Sequence, residues 1–167
     1  MPQKHRRYTL KAKEAKQILA QASRKLKLNL ENMFGSKANV EIVESDVGNL
    51  ILINGKPTLF EAEDSVFPTL TATEILARLP KAVVDMGAVR FVCNGADVMA
   101  RGIVRYEGTF AKDGVIVVVD VTHGKPLALG ESLYNSDEAR GIKQGPTIRS
   151  RHFVSDKMWN LAKTITE

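Results

Sequence analysis

The stretch Val84-Asp85-Met86-Gly87-Ala88-Val89-Arg90-Phe91-Val92-Cys93-Asn94-Gly95-Ala96-Asp97-Val98-Met99-Ala100-Arg101-Gly102-Ile103 decides the reading of this 167-residue chain. Asp85 stands where a carboxylate caps a helix, and the spacing predicts that helix over Met86–Cys93. Asn94-Gly95-Ala96-Asp97 reads as a tight turn, and Val98 to Tyr106 as extended chain. Gly87 and Ala88 read as residues for tight helix packing. Met99 reads as core before it reads as a stacking platform. Gly95 serves either its turn or the close approach of a ligand to backbone. Cys93, the single cysteine, falls on the apolar helix face and reads as a buried structural thiol.

Downstream, short strands alternate with glycines. Val115 to Val121 is the strongest strand signal, and its unbroken apolar run predicts burial. Pro126–Gly130 and Thr147–Val154 read as further strands, and Ser136–Ala139 as a short helix beginning at a serine cap. This spacing suggests a small barrel or sandwich. Upstream, Thr9 to Leu28 reads as a helix with apolar residues at Ala12, Ala15, Ile18, Leu19, Ala22 and Leu26 and lysines between them. Asn49–Ile53 and Lys56–Phe60 flank Asn54-Gly55, a type I′ hairpin signal. Val40–Glu44 reads as a third strand and Phe67–Leu70 as a bend. Thr73–Leu79 reads as a short helix with Thr71 or Thr73 as cap. Composition and pattern change near Arg78, which sets a boundary between residues 1–78 and 79–167.

Length and composition narrow the classes. The chain is long enough for one ordinary domain or two small ones. Hydrophobic residues make up 44% and charged residues 26%, against global disorder. One cysteine excludes an intramolecular disulfide and a Cys-based zinc cluster. No apolar run is long enough to span a membrane or serve as a signal peptide, so a cytoplasmic protein is expected. Residues 1–30 carry nine Lys/Arg against Glu14 alone; residues 31–78 carry three basic and eight acidic residues; residues 79–167 carry twelve and ten. A basic arm on a near-neutral body suggests an anionic partner, nucleic acid first and a membrane surface second, with a plain solvated helix as the alternative. The acidic block Glu41, Glu44, Asp46, Glu61, Glu63 and Asp64 reads as a solvated sheet edge before it reads as a docking face.

Nothing points to catalysis. His5, His123 and His152 form no metal-ligand spacing, and no nucleophile elbow or Walker loop occurs. Asp85 and Asp97 read as cap and turn residue before acid–base pair. No catalytic residue, metal site or cofactor is expected.

The Val84–Ile103 stretch resembles the opening of a PUA domain: an Asp-x-Gly-Ala helix, a Gly-Ala turn and a Val-Met-x-x-Gly-Ile strand, in register. His123–Gly130 is similar to that domain's later hairpin strand, and His152–Trp159 to its closing segment. With the Asn54-Gly55-Lys56 hairpin and Phe67–Leu70 ahead of it, the chain resembles one branch of PUA proteins. That branch includes the malignant T-cell amplified sequence protein of eukaryotes, the N-terminal part of ligatin and short archaeal relatives; length and basic N-terminus look most like the archaeal members. Two positions depart from the pattern: Arg101 where proline is common, and Ser155 where glycine is common.

The resemblance implies an α+β fold, an N-terminal α+β pre-PUA domain followed by a C-terminal PUA mixed-β pseudobarrel. It implies non-enzymatic binding of structured RNA, tRNA or ribosomal RNA, in translation initiation or another ribosome-associated role. Carried over, the RNA face comprises Arg90, Asn94, Gly95, Ala96, Met99, Arg101 and Gly102, with Arg149 and Arg151 on the late strand. Arginine forks match phosphate oxygens, and Asn94 offers an amide to a base edge. Arg140 and Lys143 extend the basic track, and the N-terminal helix offers a second anchoring patch. The eukaryotic relatives work with a protein carrying an initiation-factor-like domain, so a separate partner of that kind is implied. The alternative is an accessory subunit that delivers RNA to a tRNA- or rRNA-modifying enzyme.

Overall fold

The computed structural model describes residues 6–166; Lys4 and His5 of the basic arm lie outside them. The chain forms two compact units, one from residues 1–72 with 157–167 and the other from residues 73–156.

The first unit is a five-stranded antiparallel meander, β1 (Arg6–Thr9), β2 (Val40–Ser45), β3 (Gly48–Ile53), β4 (Lys56–Ala62) and β5 (Ser65–Pro68), in that spatial order. The β3–β4 hairpin turns at Asn54 and Gly55 with φ of 52° and 84°, the two positive values a type I′ turn needs. The β4–β5 hairpin turns the same way at Glu63 and Asp64, with φ of 50° and 62°. Phe67 and Pro68 therefore belong to a strand, where the sequence suggested a bend. Helix α1 runs over Ala12–Leu26, because Arg6–Thr9 is already committed to β1. Its Lys13 and Lys16 are exposed, Lys25 is half-buried over the Phe67 ring, and Ala15, Leu19, Ala22 and Leu26 are buried. Each leucine so covered contributes about 1.5–3 kcal/mol. Lys27 ends the helix in the left-handed region, its N–H returning to Ser23 O. A short helix, α2 (Leu30–Phe34), follows, capped by Asn29.

The second unit opens with one helical turn, α3 (Thr73–Leu76), which stops short of the expected Leu79. Thr71 is no cap for it, since its hydroxyl is engaged with Thr69 and Pro57 O. Then come β6 (Lys81–Val84), α4 (Met86–Val92), β7 (Val98–Met99), a 3₁₀ turn at Ala100–Gly102 and β8 (Ile103–Glu107). After them lie β9 (Val115–Asp120), β10 (Pro126–Ser132), α5 (Ser136–Gly141) and β11 (Pro146–Phe153). The cap of α5 is Asn135, whose Oδ1 accepts from Glu138 N, rather than Ser136.

The six strands lie in the order β7-β11-β10-β9-β6-β8, antiparallel except for the parallel pair β6–β9. The expected extended run Val98–Tyr106 is thus broken, and its halves lie at opposite edges of one sheet. Only the three residues of the 3₁₀ turn join those edges, a reach of roughly 10 Å. The sheet must therefore curl until its edges meet, which makes it a pseudobarrel. All six residues of β9 are buried, and Ala82, Val84, Val92, Val98, Ile116, Val118 and Ile148 form the core around it.

The last helix, α6 (Lys157–Thr166), packs on β3 and β4 and counts with the first unit, where the sequence reading kept residues 79–167 together. Its buried Met158, Leu161 and Ala162 are the reason: they cover the first sheet, with Met158 standing against Gly48. Ser155, just before it, has φ of 74°, which explains why glycine suits this position and costs an L-residue about 1–2 kcal/mol.

Candidate nucleic-acid interface

Helix α4 is anchored at its N-terminus through Asp85. The Asp85 carboxylate accepts from Ala88 N at 2.9 Å, and Asp85 N donates to Gly102 O at 2.9 Å. A Cβ on Gly102 would stand 2.9 Å from the Ala88 Cβ. The tight packing expected at Gly87 and Ala88 is therefore made by Ala88 on Gly102, while Gly87 is exposed. After the helix the chain reverses through Asn94–Asp97, with Asn94 N and Ala96 N both donating to Phe91 O. Gly95 has φ of 90°, and a Cβ there would stand 2.8 Å from the Phe153 ring, so both turn and packing require glycine. Asp97 Oδ1 accepts from Ser150 N at 2.9 Å and ties this turn to β11.

Between α4 and β7 lies a groove of about 660 Å³, lined in part by Gly87, Phe91, Met99, Arg101, Gly102 and Pro146. Phe91 is 55% exposed, Met99 51% and neighbouring Met86 49%. Met99 is not core, because β7 alternates and Val98 takes the inward position. The Arg90 guanidinium stands over the Phe91 ring, 4.8 Å from its centroid. The groove thus offers apolar surface for a flat ring, with Arg101 in its lining and Arg90 over Phe91; its carboxylates, Asp85 and Asp97, accept from Ala88 N and Ser150 N.

Of the nine residues the resemblance pointed to, Ala96, Met99, Arg101 and Gly102 line this groove, and Arg90 reaches it through Phe91. Asn94 is exposed and Gly95 half-buried in the adjoining turn. Arg149 is exposed on β11. Arg151 differs: its Nε donates to Glu131 Oε1 at 2.7 Å, and the two side chains are only 19% and 13% exposed. That ion pair lies across the β10–β11 ladder and engages one side of the Arg151 guanidinium. Phe91 and Met86 are what sequence reasoning missed. The signal was present, since Met86, Gly87, Arg90 and Phe91 share one helix face that cannot also be the buried one.

The remaining chemistry is structural. Burial raises the Cys93 thiol above its ordinary pKa, so it stays protonated. His123 is exposed in its turn, and His152 is buried with Nδ1 2.8 Å from Asp156 Oδ2. Asp120 is buried, and the N–H groups of His123 and Lys125 hold its carboxylate below the usual range. Among the described residues no three His, Cys, Asp or Glu are grouped to hold a metal ion, and no helix is long and apolar enough to cross a membrane.

Comparison with known proteins agrees with this architecture. Residues 80–154 match the PUA domain, and residues 6–74 match a domain of unknown function, DUF1947. An uncharacterized protein of Methanocaldococcus jannaschii is 38% identical over 93% of this chain and 96% of its own length. The malignant T-cell-amplified sequence 1 homolog of Dictyostelium discoideum is 30% identical over 85% of this chain and 81% of its own length. Translation machinery-associated protein 20 of Saccharomyces cerevisiae is 27% identical over 92% and 87%. A DUF1947 domain ahead of a PUA pseudobarrel, matched along nearly the whole chain, places this protein in the PUA-domain family that includes the malignant T-cell-amplified sequence 1 homologues and translation machinery-associated protein 20.

Proposed function

We propose that this protein binds structured RNA without chemical turnover, through the α4–β7 groove, as a cytoplasmic factor working at the ribosome or on tRNA. The observation that carries this reading is the exposed pair Phe91 and Met99 facing one groove beside Arg90 and Arg101. An unstacked base fits such a surface, because stacking on an aromatic ring is worth about 1–3 kcal/mol and arginine adds charge without demanding sequence. Gly102 and Ala96 contribute at most a methyl group to the lining, and Asn94 and Gly95 precede Ala96 in the adjoining turn. The PUA domain supports RNA as the ligand class, and the name of the yeast relative supports translation as the setting. A separate partner with an initiation-factor-like domain is part of this reading.

The test is fluorescence anisotropy with intact tRNA and with tRNA trimmed of its terminal CCA, each across a salt series. Tight binding that weakens on trimming, and weakens again in Phe91→Ala, is expected. Equal and purely salt-driven binding to both would remove tRNA as a specific ligand and direct the search to ribosomal subunits.

A further inference from the structure

The second unit carries another groove, of about 500 Å³, between β8 and α5. Its walls include Arg101, Val104, Arg105, Tyr106, Arg140 and Lys143. All four charged groups in the lining are cations, Arg101 and Arg105 from the 3₁₀ turn and β8, Arg140 and Lys143 from α5 and the segment after it. Arg105 spends Nε on Glu107 at 3.1 Å, in a pair about half exposed on both sides. Arg140 is pinned from behind, its Nη2 donating to Gly108 O at 2.9 Å. Arg101 and Lys143 make no ion pair among the described residues. Each arginine has five N–H donors, so most of the donor capacity around this groove is unspent. The acids on α5 do not enter the lining: Asp137 is exposed, and Glu138 Oε1 is bonded to Asn135 Nδ2.

Arg101 belongs to both grooves. A ligand that fills the apolar one and continues past Arg101 enters a channel of net positive charge, in which only Arg105 has an ion-pair partner, Glu107, among the described residues. Four cations along one open groove suit several anionic groups in series better than a single small anion. A nucleic-acid strand has that composition, a flat apolar ring on each unit and a charge between units.

We propose that the β8–α5 groove is a phosphate track. The RNA strand whose base occupies the α4–β7 groove runs past Arg101 and lays its next phosphates against Arg105, Arg140 and Lys143. This inference rests on the base-binding reading above and adds the direction of the strand.

The test uses the full chain and a hairpin RNA with a four-nucleotide 3′ single-stranded tail, with and without neutral methylphosphonate linkages in the tail. Arg140→Gln combined with Lys143→Gln removes two cations and leaves a side-chain amide able to reach Gly108 O. Thermal melts establish that the variant is folded. Each single-strand phosphate contact contributes about 0.7 to the salt slope, so the double variant should lower the slope by about 1.4 and weaken binding roughly tenfold at low salt. On the neutral-tail RNA, variant and wild type should bind alike. An unchanged slope, or an equal loss on both RNAs, overturns the track. Phe91→Ala, run in parallel, separates the two readings. Loss in Phe91→Ala without loss in the double variant keeps the base groove and discards the track. No loss in either discards both. Displacement of the RNA by polyglutamate of matched charge would mark a general anion surface and overturn it too.

Discussion

The two units of this protein carry positive charge in different company. In the first, α1 and its C-cap present Lys13, Lys16, Arg24 and Lys27 outward while Ala15, Leu19, Ala22 and Leu26 are buried. The groove beside that helix holds Lys16, Arg24 and Lys27 together with Glu31. The N-terminal arginines are committed as well: Arg7 donates to Glu41, and Arg6 lies near Glu44, which also accepts from Tyr8. Part of the acidic block thus meets the chain's own β1. The large apolar side chains that are exposed among the described residues, Met86, Phe91, Met99, Val104 and Val121, all lie in the second unit. Composition put the charge excess in the first thirty residues, whereas the exposed aromatic surface beside charge, Phe91 with Arg90, is in the second unit. Charge alone attracts any polyanion; charge beside exposed rings discriminates.

The largest effect should come from the ring. Phe91→Ala removes a stacking surface worth about 1–3 kcal/mol, so RNA binding should weaken roughly 5- to 150-fold with the salt slope unchanged. The fold should barely change, because Phe91 is more than half exposed. If neutralising α1 weakens binding more than Phe91→Ala does, the division between the units is wrong. The next test separates two arginines on one strand. Arg151→Gln removes the charged half of a largely buried ion pair and should cost about 1–3 kcal/mol of stability. Arg149→Gln should leave the melting temperature in place and lower the salt slope by about 0.7, read in the same titration. A reversal of those two outcomes would return Arg151 to the RNA face.

These contrasts also mark where sequence legibility stops. The Asn54-Gly55 turn was readable because only residues tolerant of positive φ suit it. The equivalent turn at Glu63-Asp64 was hidden, because two acidic residues adopt the same conformation with no glycine to announce it. Asp85 was readable as a cap because the cap and its partner, Ala88, lie three residues apart. The ion pair of Arg151 was hidden, because Glu131 reaches it across the β10–β11 ladder, beside a bulge that local pattern does not encode. The break at Ala100–Gly102 was read as continuous strand because its cause is global: the chain must jump between two sheet edges. The first half of the candidate groove was legible through its motif. Arg140 and Lys143 were legible as a further basic stretch; the Phe91 wall and the placing of Arg105 beside that stretch were not, since they depend on which face of α4 is buried and on α5 packing beside β8.

A smaller effect should follow from the first unit's charge. Lys13→Gln with Lys16→Gln removes two exposed cations from α1. If this helix steers RNA without reading it, binding should weaken a few-fold at low salt and the ratio between intact and trimmed tRNA should stay constant. A change in that ratio would give α1 a part in recognition.

The smallest effect tests whether the second unit's frame is as acid-sensitive as its one buried carboxylate suggests. Asp120 closes the turn after β9 by accepting from His123 N and Lys125 N, and these N–H groups hold its pKa below the ordinary carboxylate value. A depressed folded-state pKa stabilises the fold at pH above the unfolded-state value, and that contribution disappears as pH falls through the folded one. Acid should therefore loosen the turn Val121–Lys125 and the strand it serves, and Asp120→Asn should flatten that part of the pH dependence while lowering stability at neutral pH. Trp159, the only tryptophan, lies on α6 and reports on the first unit. Comparing its fluorescence with far-ultraviolet circular dichroism through an acid titration separates the two units. The variant should alter the dichroism curve and leave the Trp159 curve in place; equal displacement of both would mean that the units unfold as one.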